Sequence, residues 1–369
     1  MMRFPALAFC AALSTACLAS SGQTAGGGVQ PTVDQRGNLT TQLFRLMGSN
    51  AIWTRVGTIT FDWPTFHTQG MVKIGETFYV SSVEVISRTV RNGTVTDALS
   101  DFSIDRSPGT GRGWLFKFNS AGQLLGRIEL TDGKKYHPGG IDYDGRFIWV
   151  PVGEYRPNSK SNIYRVDPAT LAAELAFTEN DHIGAVVHNV HRGTLHGVSW
   201  GSRRMYTWRV AGKPDRLHVV SSEWTPNPQF YIDYQDCHYQ AVEFMLCGGV
   251  TGYPTPLGSI AFGGLDLIDL RRGRPEHQVP VNLFIDEGSG PNPGLALTHN
   301  AFWIEPLDQR SLRAYFMTES DNQADLLIYD ATPQVNRLRK EIDAVTPIAS
   351  MRAISLSSPA RGRRYAGMP

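Results

Sequence analysis

The chain has 369 residues, enough for one large or two ordinary domains with a substantial core. Its formal net charge is +1 with both signs interspersed, so no field of one sign gathers a polyanion and nucleic acid is not an expected partner. Charged residues make up only 19%, aromatics 10%, and there are 37 Gly and 22 Pro, a composition of short strands and tight turns rather than helices.

The N-terminus reads as an export signal. Arg3 supplies a positive start, residues 4–18 form an apolar run broken only by Pro5, Ser14 and Thr15, and small residues follow at 19–22. The run is too short to span a bilayer, so residues 1–25 are expected to be a cleaved signal peptide. The protein is then secreted or periplasmic. Lipid anchoring at Cys17 is the alternative, although Ser14 stands where such a signal prefers an aliphatic residue. No later stretch is apolar for long enough to cross a membrane. Residues 26–50 are expected to be a flexible segment carrying a short helix over 39–47. The folded domain then covers 51–335, and 336–369 forms a tail that ends in Arg361, Arg363 and Arg364.

Within 51–335 one unit recurs. An apolar strand runs into a His-containing turn, and three further strands follow, the second rich in aromatics and the third ending in Asp or a small polar turn. The turns begin at His67, His137, His182, Asp233 and His299, roughly 45–70 residues apart, the spacing of four-stranded propeller blades with longer loops. Residues 233–247 align with 67–81 without a gap, and Gln235 falls on Gln69. The strand at 58–61 has no blade of its own and is expected to complete the fifth blade, closing the ring and removing its open edges. The fold class is therefore all-β, a single propeller of about five four-stranded blades closed by an N-terminal strand. Cys10 and Cys17 fall in the signal, while Cys237 and Cys247 face each other across an expected hairpin, as a disulfide or as two buried thiols. Sequons stand at Asn38 and Asn92.

In a propeller the first strand of each blade lines the central channel. His67, His137, His182, Asp233 and His299 are therefore expected at its mouth, with Asp236 and His238 nearby. Imidazoles with a carboxylate suit a divalent transition metal such as Zn, Fe or Mn. The plain alternative is a turn-capping residue copied with each duplication, or direct binding of a ligand without metal. Gln69, Gln235 and His238 are candidate ligand-binding residues. Glu84 and Glu154, after the second strands of blades one and two, are candidate general bases, with Glu319 in a comparable place in blade five; a solvated loop carboxylate is the plain reading of each. His188, His191 and His196 form a weaker metal candidate, and His218 and His277 read as solvent-facing. The stretch 109–113 is Gly-rich without strand–helix context and reads as a loop. There is no nucleophile elbow, phosphate loop, Cys-x-x-Cys pair or dinucleotide fingerprint.

His67-Thr-Gln-Gly-Met followed by Phe78-Tyr-Val-Ser-Ser resembles the first-blade motif of plant-type glutaminyl cyclases, which are secreted five-bladed propellers. It departs from that family at Val80, where the family carries a Glu directly after the Tyr. The whole chain, with its His-Pro-Gly-Gly-Ile and Val-Asp-Pro elements, more nearly resembles uncharacterised secreted propellers. The expectation is a monomeric exported propeller that binds a small molecule at its mouth, with or without a metal, with hydrolase or lyase chemistry open to it. A non-catalytic scaffold for protein or glycan is the alternative.

Overall fold

The structure, a computed structural model, describes residues 33–90, 106–213, 216–227, 231–256, 258–285, 294–318 and 323–334. The expected signal peptide, Cys17, the Asn92 sequon, Glu319 and the tail lie outside these residues. In chain order, helix α1 (Val33–Phe44) precedes strand β1 (Ile52–Ile59). Blade one is β2 (His67–Ile74), β3 (Thr77–Ser87), β4 (Thr110–Asn119) and β5 (Leu124–Glu129). Blade two is β6 (Lys135–Pro138) and β7 (Asp142–Tyr143), then β8 (Ile148–Glu154), β9 (Ser161–Val166) and β10 (Ala173–Glu179). Blade three is β11 (Ile183–Asn189), β12 (Thr194–Ser199), β13 (Arg204–Lys213) and β14 (Arg216–Pro226). Blade four is β15 (Asp233–Gln240), β16 (Phe244–Thr255), β17 (Gly258–Asp269) and β18 (Arg274–Val281). Blade five is β19 (Asn300–Pro306), β20 (Leu312–Thr318) and β21 (Leu326–Thr332), completed by β1.

The five antiparallel sheets form the expected propeller, and β1 closes it by pairing with β21 from Ile52↔Thr332 to Ile59↔Leu326. The closing strand begins earlier than the expected 58–61 and stops at Ile59. Beyond it Phe61 and Trp63 turn onto blade one, where Phe61 meets Phe118 at 5.0 Å, Trp63 meets Phe116 at 5.0 Å, and the indole N–H of Trp63 donates to Gly122 O at 2.9 Å. The seam between the last and first blades is thus stitched by aromatics as well as by the ladder. Second strands such as β8 and β12 are buried along their whole length, whereas β5 and β18 alternate, as strands wet on one face do. The Gly-rich stretch expected as a loop enters β4, because Arg112 and Gly111 find ladder partners in Glu84 and Val85.

At the axis the inner strands approach closely. A Cβ on Gly70 would stand 2.6 Å from Gly140 Cα and 2.9 Å from Asp236 Oδ1, so only glycine fits. The inner strand of blade two is broken there into β6 and β7, because Gly140 N turns away to donate to Gly184 O of blade three at 2.7 Å. Asp236, fully buried on β15, knits four blades. Its Oδ2 accepts from Met71 N at 2.9 Å and Phe302 N at 3.2 Å, and its Oδ1 accepts from Ile141 N and its own neighbour Cys237 N, both at 3.1 Å.

Helix α1 starts six residues before the expected 39 and ends earlier. It does not float in a flexible segment but lies against β15 and β19, with Leu43, Phe44 and Met47 buried and Gly37 packed on Ala241. These contacts are at the strand ends opposite the His turns, so α1 covers that end of the channel. His277 is not solvent-facing. Its Nε2 pairs with Met47 O at 2.8 Å and its ring meets Phe44 edge-on at 5.5 Å. No described helix is long and apolar enough to cross a membrane.

Cys237 and Cys247 lie directly opposite on β15 and β16 and form a disulfide, which fits an oxidising compartment. For a loop this short, replacing both by Ser is expected to lower unfolding free energy by about 2–3 kcal/mol. Urea unfolding checks this, and reduction of the native protein should reproduce the loss.

Candidate functional site

The His turns meet at one end of the propeller because each opens an inner strand. His67 and Asp233 begin β2 and β15, His137 lies in β6, and His182 and His299 stand just before β11 and β19. The ladder shifts register just inside both His67 and Asp233, at Thr68/Gly70 and at Tyr234/Asp236, so the ungapped alignment of these strands holds. The bulges fall on Gln69 and Gln235, whose amides turn back to donate to Thr68 O at 3.1 Å and Asp233 O at 3.3 Å. Phe66, next to His67, holds a left-handed backbone (φ 52°), strain of the kind that collects beside functional groups.

Three of the five turn residues come together. The rings of His67 and His137 are 6.1 Å apart, and those of His137 and His182 are 5.6 Å apart. His182 is buried with its Nδ1 2.7 Å from Glu154 O. His137 is buried, yet neither of its ring nitrogens has a hydrogen-bond partner. Burial, then the neighbouring His182 and His67, holds its pKa well below the usual imidazole range; burial likewise lowers that of His182. Both rings are therefore neutral at physiological pH. Asp233 is engaged by Arg203 Nη1 at 2.6 Å, and the backbone N–H of His299 donates to Ala296 O at 3.0 Å. Among the described residues no group of three or more His, Cys, Asp or Glu is arranged to hold a metal.

The remaining candidates separate from this group. His238 lies within the channel, 2% exposed, with its Nε2 2.9 Å from Phe302 O and 3.5 Å from Asp236. The strand carries its side chain to the packed axis, where its ring meets Phe302 and Trp303 at 4.8 and 4.9 Å. Glu84 accepts from Trp114 Nε1 at 3.0 Å, and Glu154 pairs with Arg156 at 2.6 Å, so neither carboxylate is poised as a free base. A cavity of ≈ 380 Å³ opens beside His67, lined also by Phe66, Glu84 and Arg88. His188 and His196 each find other partners. His188 Nδ1 is 2.8 Å from Asp144, and His196 sits between Thr194 and Thr207 at 2.9 and 3.1 Å. A larger cavity of ≈ 490 Å³ lies between blades three and four, lined by His196, Arg192 and Glu243. Within it Glu243 is held by Arg192 at 2.5 Å and Arg271 at 3.0 Å.

Sequence reasoning missed three residues of the mouth. Tyr155 stacks on His137 at 4.1 Å, and Trp200 meets His182 edge-on at 4.8 Å. Both directly follow a second strand, β8 and β12, so aromatics at those ends were the available signal. Arg106, 8% exposed, lies 4.9 Å over Trp200 and 5.7 Å over Tyr155. It arrives from the long β3–β4 connection, where no repeat marks it.

A model of a protein family matches residues 28–334. The chain belongs to this family of unknown function, DUF6454. No curated protein matches the chain. Among solved structures, the DUF6454 chain is similar to a luciferin-regenerating enzyme, at 9% identity over 77% of this chain and 96% of that one, with a TM-score of 0.40. It is also similar to the tail fiber of Staphylococcus aureus phage P68 (11% identity, 82% of this chain, 58% of that one, TM-score 0.43). A calcium-binding regucalcin from Agrobacterium tumefaciens aligns at 10% identity over 76% of this chain and 96% of that one, with a TM-score of 0.37. Of the residues shared with the glutaminyl cyclase motif, Met71, Phe78 and Tyr79 are buried in the core in this DUF6454 protein, as is Val80, where the chain departs from that motif.

Proposed function

We propose that this protein binds a small molecule at the histidine mouth of its propeller, through His137, His182 and the aromatic rings beside them. One observation carries the reading: a buried imidazole with both nitrogens unpartnered, at the end of the propeller where the inner strands begin, opposite the end that carries α1. Leaving a buried polar group unpaired costs about 1–3 kcal/mol, and a ligand that pairs with it recovers that cost. A strongly depressed imidazole is a weak base, and Glu84 and Glu154 are engaged. Binding is therefore better supported than the hydrolase or lyase chemistry that a ligand at this mouth would otherwise allow.

A second reading, a Zn, Fe or Mn ion taken up by His67, His137 and His182, draws on the unpartnered His137 nitrogens and needs the three rings to turn toward one another from their present arrangement. Elemental analysis of the purified mature protein separates the two, with stoichiometric metal that is lost in His137→Ala supporting the ion. For the leading reading, His137→Phe keeps the stack on Tyr155 and removes both nitrogens. It is expected to leave the melting temperature unchanged or slightly raised and to abolish the thermal shift given by compounds found in a small-molecule screen. A full shift retained by His137→Phe would sink the reading.

A further inference from the structure

Resting on the mouth reading above, we infer that the molecule received there is a small organic carboxylate: its anionic end meets Arg106 and His137, and its flat apolar part lies along Tyr155 and Trp200. The charge inventory is the reason. Glu154 is taken by Arg156 at 2.6 Å, Asp181 by Arg204 at 2.7 Å, and Asp233 by Arg203 at 2.6 Å. Glu84 accepts from Trp114 and lies 3.8 Å from Arg112. Arg106 is buried, and among the described residues it has no carboxylate partner and its Nε–H has no acceptor.

A guanidinium keeps its charge at any working pH, and burying it without an anion is costly. The faces of Trp200 and Tyr155 stabilise part of that charge but leave the Nε–H without an acceptor. The Nε–H of Arg106 and the open nitrogens of His137 are thus preset for oxygen atoms of a bound anion. One full cation balances one negative charge, which fits a carboxylate better than a phosphate dianion. The two aromatic walls favour a planar body over a branched one.

The test uses the mature protein with ¹⁵N-labelled histidine and four probes: benzoate, benzamide, benzylammonium and inorganic phosphate. Benzoate is expected to move the ring signals of His137 and His182, with the matched amide and ammonium bound at least about tenfold more weakly. Arg106→Gln is expected to weaken benzoate roughly ten- to hundredfold. Arg106→Lys keeps the charge without the Nε–H and should fall between, which keeps the test decisive if the Gln variant does not fold. Equal binding of benzamide, or benzoate affinity unchanged in Arg106→Lys and Arg106→Gln, overturns the carboxylate and leaves the mouth reading standing. Binding of phosphate alone overturns it too. If no probe moves any mouth histidine, the mouth reading falls and this inference with it.

Discussion

Replacing Asp236 by Ala is expected to lower the unfolding free energy by about 4 kcal/mol or more, a large part of what holds a typical domain folded. The carboxylate is fully buried and serves as acceptor for four backbone N–H groups, on Met71, Ile141, Cys237 and Phe302. These belong to the inner strands of blades one, two, four and five, so one side chain replaces a ladder that parallel neighbours at the axis cannot complete. Alanine leaves those donors without an acceptor in the most tightly packed part of the molecule. It also removes the carboxylate 3.5 Å from His238. Asp236→Asn has the same shape but sets an NH₂ group against two of the donors, so an intermediate loss is expected. Urea unfolding followed by tryptophan fluorescence measures both. An Asp236→Ala protein with the wild-type midpoint would show that the axis is held by packing alone.

The repeat made the architecture readable because each blade must solve the same problem: a strand buried on both faces, a turn at the mouth, and an edge strand wet on one side. That is why matched His and Asp positions marked the strand starts correctly, and why the lone early strand could be assigned to close the ring. The site was less legible for a different reason. A strand start fixes where the backbone enters the mouth, not which way the next side chain points. Asp236 lies three residues after Asp233 and Gly70 three after His67, and these inner positions reach the axis, carrying His238 further in. Tyr155 and Trp200 come from second strands, whose ends carry no turn signal, and Arg106 comes from a long insertion. The charge pairings that occupy Glu154 and Asp233 join residues close in space through loop conformations that no periodicity encodes. A short helix was legible over 39–47, but the start of α1 at Val33 goes with its docking on β15 and β19.

Acid should act on this fold in two opposed ways that single variants can separate. Burial raises the pKa of Asp142 from 3.8 to about 6, against the opposing pull of His238 and the N–H groups of His188 and Tyr239. The folded state then holds a proton that the unfolded chain releases. Asp142 adds stability as pH falls through about 6, and the whole effect is present below the unfolded value. Burial lowers His196 from 6.5 to about 4, with His188 and Arg192 adding to the shift. Here the unfolded chain takes the proton first, so stability present above the unfolded value is lost as pH falls toward about 4. Taking each shift through linkage, going from about pH 7 to about pH 4.5 gains about 2 kcal/mol from Asp142 and loses about 2 kcal/mol through His196. Asp266, raised to about 6 by burial, adds to the gain, while His137 and His182, lowered by burial, add to the loss. Asp142→Asn removes the gain and should lose about 2 kcal/mol more than wild type over that interval. His196→Gln removes one loss and should fall by correspondingly less. Urea midpoints at the two pH values measure both slopes. Parallel behaviour of wild type and Asp142→Asn would mean that Asp142 keeps an ordinary pKa, with its charge fully compensated by His238 at the axis.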